Sequence, residues 1–525
     1  MNVTRRQSLS LGVAAAMARS LPDSLVRHTV GVMFDVRAFG AVGNGTADDT
    51  AAINRAIAAV PVSGGTVSFP AGAYRSYSIR LRSFVALSLE EGATILAGST
   101  PLEGTTTGGY DAAESNAPWE AYQDFGHNHW HNSLIWGEDV HDIAILGPGR
   151  IWGSGLTRGD NDPDLPREAA PGAGNKAVAL KNCHNVILRD FSILAGGHFG
   201  ILATGVDNLT IDNLWIDTNR DGMNIDCCRN VRISGCSVNS PWDDGICLKS
   251  SFALGHARAT EDVTIANCYV TGNYRVGSLL DGTMVPFGAA LPSPTGRIKC
   301  GTESNGGFRN ITIANCIFEG CRGLALETVD GGVLEDITVT GLAMRDIRNA
   351  PLYLRLGARM RGPKDIAIGR LRRVLISNVV CTAPHNPMPL IISGIPGHLI
   401  EDIQISDVYV LQAGRGTAEE AAVRPPEQAE DYPEPSRLGP LPAQHVFLRH
   451  ARGVTFTNVR LESVARDARP VFWVDDVTGL DAFRLWLPEG LAAPAFSLND
   501  VRDVRVSASH GVADASFAAL ARGQI

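Results

Sequence analysis

From Ile143 onward the chain repeats one pattern: apolar, any, apolar, any, Asn/Asp/Gly, then a small or apolar residue. It appears as IAILGP, VILRDF, LTIDNL, VRISGC, VTIANC, ITIANC, ITVTGL, VLISNV, IQISDV and VTFTNV. Copies starting at Val186, Leu209, Val231 and Val263 lie 23, 22 and 32 residues apart. Short alternating strands closed by turn residues at this spacing predict a parallel β-helix, each coil burying its apolar positions on the next. An antiparallel sandwich needs hairpin turns between paired runs, and these are not the rule here. The expected fold is therefore all-β, a single-domain right-handed parallel β-helix over residues 30–525, with stacked positions about 4.8 Å apart.

Three stretches depart from the repeat. After the Gly43-Asn44-Gly45 turn, Thr46 with Asp49 forms an N-terminal capping pattern, and Ile53, Ile57 and Val60 form one apolar stripe. This predicts a short helix capping the open end of the stack. Between 411 and 445, prolines and charges exclude a strand and predict a loop insertion. The final ADASFAALARGQ reads as a second short helix.

Composition adds limits. A formal charge of -9 argues against general nucleic-acid binding, which needs a basic footprint. It leaves room for a local basic pocket that takes an acidic sugar. Arg5-Arg6, the apolar run Leu9 to Ala18 and its small-residue end predict an export signal over 1–18, of twin-arginine type, and hence a periplasmic or secreted protein. No later run is long enough for a membrane span, and a monomer is expected. Cys236, Cys268 and Cys316 recur at one place in the repeat and read as stacked small hydrophobes. Without C-x-x-C pairs, no metal or other cofactor is expected.

The chemistry concentrates between Asn219 and Lys249. Asp221 lies 22 residues before Asp243-Asp244, one coil away, so stacking brings three carboxylates together. A single aspartate in such turns ordinarily caps backbone; three converging over one coil point to catalysis. Three like charges cannot all ionise comfortably, so at least one stays protonated near working pH. A protonated acid beside ionised carboxylates is what glycosidic cleavage needs. In Arg297-Ile298-Lys299, alternation buries Ile298 and turns both cations outward, with Lys249 as a further cation for an acidic substrate. His127, His129 and His131 alternate as on one strand face, suited to a groove wall or, less simply, a metal. Arg355, Arg359 and Arg361 are candidates for a second anion contact, and Glu303 and Glu327 for extra carboxylates at the site.

These motifs resemble the polygalacturonase family, glycoside hydrolase family 28. Asn219-Arg220-Asp221-Gly222 is similar to its N-T-D motif, Asp243-Asp244 to D-D and Arg297-Ile298-Lys299 to R-I-K. AFGAVGNGTADDTAAINRAI and GPGRIWGSG resemble the family's opening and first coil. The resemblance implies inverting hydrolysis of pectic polymers, with Asp243 as general acid and Asp221 and Asp244 activating water. Asn219, Lys249, Arg297 and Lys299 would then bind substrate. Two departures stand out: Arg220 replaces the threonine of N-T-D, and Gly272, Asn273 and Tyr274 occupy the region where the family has a G-H-G histidine. That gap shifts the expected substrate from plain galacturonan toward rhamnogalacturonan, and the insertion suggests action from chain ends. A calcium-dependent β-helical lyase and a non-catalytic carbohydrate-binding β-helix are the competing readings.

Overall fold

The computed structural model describes residues 33–100, 108–123, 125–156 and 174–525. The expected export segment, 1–18, lies outside them. The described chain is a right-handed parallel β-helix. One inward row runs Val186, Leu209, Val231, Val263, Ile311, Ile337, Val374, Ile403 and Val454, each the register partner of the next. The apolar repeat of the sequence is therefore one continuous buried stripe, the driving force of the fold.

Each coil closes through a residue in the left-handed region, which explains the Asn/Asp/Gly requirement at its turns. The turn residues of three successive copies, Asp190, Asn213 and Gly235, have φ of 66, 53 and 63°. Left-handed asparagines near the start of each strand stack their amides: Asn208 donates to Asn185 Oδ1 at 2.8 Å and Asn230 to Asn208 Oδ1 at 2.7 Å. Cys236, Cys268 and Cys316 are buried in the core as expected, and all ten cysteines are free and buried.

Both ends differ from expectation. The first helix runs Thr50–Ala59, four residues after Thr46, because Asn44–Asp48 forms a strand paired with Gly72–Ser76. Asp49 does not cap this helix; its carboxylate accepts the backbone N–H groups of Val42 and Gly43 at 2.6 and 3.0 Å. The apolar stripe of Ile53, Ile57 and Val60 is buried as read. At the other end, residues 515–524 form a strand antiparallel to Phe496–Ser507, not a helix. A helix there would leave the last coil's edge unpaired, and pairing overrides the modest helix propensity of the alanines. Among the described residues no helix is long and apolar enough to cross a membrane.

Two parts of the outer face are covered. Tyr353, Ile391, Phe447 and Trp473 stack in register outside the helix, under Leu438, Leu441 and Ala443 of the insertion. Nearer the N-terminus, Trp130 covers Ala179, Phe199, Leu202 and Ala253. Between these covers the outward row is polar: Asn224, Cys247 and Lys299 are register partners. The insertion is an ordered excursion that begins after strand Ile400–Gln412 and contains a short helix, Ala418–Ala421. Arg355 straps it down, donating to Glu427 O and Gln428 O at 2.7 and 2.9 Å. Arg355 is thus a buried structural tie and not an anion contact.

Candidate active site

Asp221 and the Asp243-Asp244 pair each stand just before a strand of the polar stretch, Met223–Asp226 and Ile246–Ser250, on successive coils. The next coil supplies Lys299 from strand Ile298–Ser304, and Arg297 immediately before it. Backbone bonds set the approach: Gly222 N–H donates to Asp244 O at 3.0 Å and Gly245 N–H to Arg297 O at 2.8 Å. A glycine follows Asp221 because a Cβ there would lie 2.4 Å from Val238 Cγ1. The nearest carboxylate oxygens of Asp221, Asp243 and Asp244 all lie within 4.8 Å of one another. Asp244 N–H donates to Asp221 Oδ1 at 2.9 Å and to Asp243 Oδ1 at 3.0 Å, locking the three together.

Their environments differ sharply. Asp244 is buried, which opposes ionisation, but Lys299 at 3.4 Å and Arg297 at 2.7 Å override that penalty and hold it below the usual carboxylate range. Asp221 is also buried; burial and then the neighbouring charge of Asp243 push it well above that range. Asp243 has the most accessible side chain of the three, 36% exposed against 4% for Asp244, with Arg220 Nη2 3.8 Å away. The surroundings therefore push one carboxyl toward holding its proton and another toward losing it, as the clustering requires.

The cations expected to face solvent are largely sequestered. Ile298 is in the core as alternation demands, yet Arg297 and Lys299 on the outer face are also buried, because the insertion folds over them. Tyr432 places its hydroxyl 3.3 Å from Lys299 Nζ, and Glu434 lies 3.2 Å from Arg297 Nη2. No periodic signal marked these two residues; only the strand-excluding composition of the insertion hinted that something was built there. Lys249 shares the outward face of Cys247, but its ammonium is held by Glu303 at 2.8 Å. Asn219 is buried beside the cluster, preceding Arg220.

The remaining candidates divide. His127, His129 and His131 do not share a strand face: His127 lies in a 3-10 turn against Phe199, while His131 packs on Trp136 and meets Glu138 at 2.7 Å. Arg359 is paired with Asp330 and lies 3.6 Å from Glu303, so it too is internally neutralised; the backbone N–H of Arg361 binds Asp330 at 3.0 Å. A histidine missed in the sequence is His198, whose Nδ1 accepts Arg220 Nη1 at 3.1 Å. Burial and then the Arg220 charge keep it neutral.

Glu327 is fully buried, with Lys299 3.5 Å away. Burial raises it from 4.5 to about 7, against the opposing pull of Lys299 and Arg297. A carboxyl raised in the folded state favours folding below its ordinary value and loses that contribution as pH climbs from about 4.5 to about 7. Glu327→Gln removes this dependence. Across that window the wild type should lose up to about 3 kcal/mol relative to the variant, read by urea unfolding at both ends.

Two acidic groupings have metal-like spacing. The residues of the aspartate trio do not fit a calcium ion, which takes six to eight oxygens, because Arg297 and Lys299 already occupy both oxygens of Asp244. In Glu114, His131 and Glu138, Lys181 holds Glu138 at 2.8 Å and backbone N–H groups hold Glu114. Both are satisfied internally, which removes support from a calcium-dependent eliminase.

Comparison with known proteins agrees with the β-helix fold. The family description "Rhamnogalacturonase A/epimerase, pectate lyase-like" matches residues 33–106, and "Right handed beta helix region" matches 143–254 and 172–341. A polygalacturonase of Persea americana is 25% identical over 297 residues, covering 53% of this chain and 58% of that relative. The chain matches 58 to 60% of the length of its curated relatives. Among solved structures, a family 28 exopolygalacturonase of Yersinia enterocolitica superposes with a TM-score of 0.65 at 19% identity, over 86% of this chain and 78% of that one. An exopolygalacturonase of Thermotoga maritima gives a TM-score of 0.52 at 15% identity, over 94 and 95%. The structural likenesses establish the fold; joined to the sequence matches and the three motifs in order, they support assigning the chain to the polygalacturonase family, glycoside hydrolase family 28.

Proposed function

We propose that this protein hydrolyses glycosidic bonds in a pectic polysaccharide. The observation that carries the reading is the aspartate trio, three carboxyls within 4.8 Å of one another on adjacent coils, with Asp221 pushed up by burial and Asp244 pulled down by Lys299 and Arg297. Asp243, the accessible member, donates its proton to the leaving glycosidic oxygen. Asp244, kept ionised by Arg297 and Lys299, accepts a proton from the attacking water, and Asp221 holds that water between itself and Asp244. Water oxygen bonds to the anomeric carbon as the glycosidic C–O bond breaks, and Asp221's proton can recharge the Asp243 side of the pair. Asn219, Lys249, Arg297 and Lys299 order this site.

The Persea americana relative is named a polygalacturonase, which supports pectin as the substrate class. The rhamnogalacturonase description matches the N-terminal cap, away from the aspartates. With no histidine between Cys268 and Arg297, it supports a rhamnogalacturonan-type substrate over plain galacturonan. The insertion stands over the Arg297 side of the groove, which supports action from chain ends. Export through residues 1–18, a periplasmic or secreted location and a monomeric state belong to the same proposal.

Inversion is the stereochemical reading, although the carboxyl oxygens are closer than the roughly 6.5–9.5 Å of most inverting pairs. For inversion, the water held between the Asp221 and Asp244 carboxyls attacks the anomeric carbon from the face opposite the leaving oxygen that Asp243 protonates. Product analysis on homogalacturonan and rhamnogalacturonan checks the whole proposal. Expected are saturated products released one terminal unit at a time, with the anomeric configuration inverted by NMR at early times. Calcium-dependent absorbance from an unsaturated uronide sinks hydrolysis, a retained anomer sinks the water placement, and a rapid fall in viscosity sinks end-action.

A further inference from the structure

We propose that Glu434 stands in for a sugar carboxylate on Arg297, so that the subsite over Arg297 and Lys299 receives a neutral sugar and not a uronate. The identity of the polymer rests on the hydrolase reading above; the choice between neutral and acidic sugar does not.

An arginine that binds a uronate must offer a free edge of its fork to the incoming carboxylate. Arg297 has none. Its Nε donates to Asp244 Oδ1 at 2.7 Å and its Nη2 to Glu434 Oε2 at 3.2 Å. Glu434 is fixed there from two further coils: Arg322 Nη1 lies 3.5 Å from the same oxygen, and Asn349 donates to Oε1 at 2.6 Å. Lys299 is equally committed, with Asp244, Glu327 and the Tyr432 hydroxyl around it at 3.4, 3.5 and 3.3 Å.

A uronate entering here brings a negative charge to cations that are already balanced. It must either share Arg297 with Glu434 and Asp244 through Nη1 alone, close to both carboxylates, or displace Glu434 from its buried pair with Arg297, and both are costly. A neutral sugar carries only hydroxyls, which the Glu434 and Tyr432 oxygens can accept from or donate to. Tyr432 is 43% exposed and adds an aromatic face beside this position. The insertion thus builds specificity by repelling one substrate as much as by holding another.

The test uses the full-length protein with galactose and galacturonate, which differ at C6 as hydroxymethyl and carboxylate. Calorimetric titration of the wild type is expected to show galactose bound at least as tightly as galacturonate. Glu434→Gln keeps an acceptor for Asn349 and removes the charge, so galacturonate should gain about tenfold over galactose, the worth of one charge-assisted hydrogen bond. In parallel, kcat/KM is measured on an oligogalacturonide and on a rhamnogalacturonan oligosaccharide, and the variant's preference should move toward the first. A wild type that prefers galacturonate overturns the proposal whatever the variant does. So does an unchanged ratio in Glu434→Gln, or binding of neither sugar. If neither oligosaccharide is cleaved while the binding preference switches, the hydrolase reading fails and this one stands.

Discussion

Asp243→Asn lowers turnover of a pectic oligosaccharide by about 10²–10⁴-fold, the usual worth of a positioned general acid. Asparagine is nearly isosteric with aspartate and keeps an oxygen for the Asp244 N–H that Asp243 Oδ1 now accepts at 3.0 Å. The side chain is accessible and its one nearby cation, Arg220, is 3.8 Å away, so little folding energy depends on its charge. Thermal unfolding of the variant should match the wild type while kcat collapses. That separation is the informative part: Asp244 is tied to two buried cations, and its replacement would confound stability with chemistry. A substrate whose leaving group needs no proton, such as an aryl glycoside with an acidic phenol, should recover most of the lost rate. Full activity of Asp243→Asn on the natural linkage removes the acid assignment, and failure of the activated substrate to recover moves Asp243 to the water-holding side.

The second large effect is on stability and pH together. Lys299→Met strips the ammonium that lies between Asp244 and Glu327, leaving Asp244 with Arg297 alone and Glu327 without its ion-pair partner. Breaking a buried pair in this way costs about 3–5 kcal/mol. The Asp244 carboxyl should rise, since Lys299 is the leading influence holding it down against burial. Activity that needs ionised Asp244 is then lost first at low pH, and the acid limb of the kcat/KM profile shifts upward. Adding Glu327→Gln removes the second stranded carboxyl and should restore part of the stability without restoring the pH profile. If the double variant is no more stable than Lys299→Met, the two carboxyls are not competing for the same cation. An unmoved acid limb shows that Asp244 is not the titrating base.

Much of this architecture is legible in the chain alone, because a β-helix repeats a local rule. Each copy of the motif states its own inward positions and its own left-handed turn, so Val186 through Val454 could be aligned without any long-range knowledge. The aspartate cluster was legible for the same reason: a spacing of one coil converts directly into spatial contact. The ends were less so. A chain end answers to whatever edge it must cover, and residues 515–524 pair as a strand because Phe496–Ser507 presents one.

What the sequence determined by itself is the scaffold and the carboxyl cluster: a parallel β-helix, with Asp221, Asp243 and Asp244 gathered on adjacent coils. Tertiary structure alone decided what surrounds that core. Glu434 reaches Arg297 across 137 positions, and Arg220 meets His198 from the preceding coil. The first meeting follows from no period, since the insertion that carries Glu434 interrupts the repeat, whereas the second has the one-coil spacing of 22 residues and went unread. The cations that alternation turns toward a substrate are instead neutralised from within, because an excursion with no pattern of its own packs on the stacked aromatics beside them.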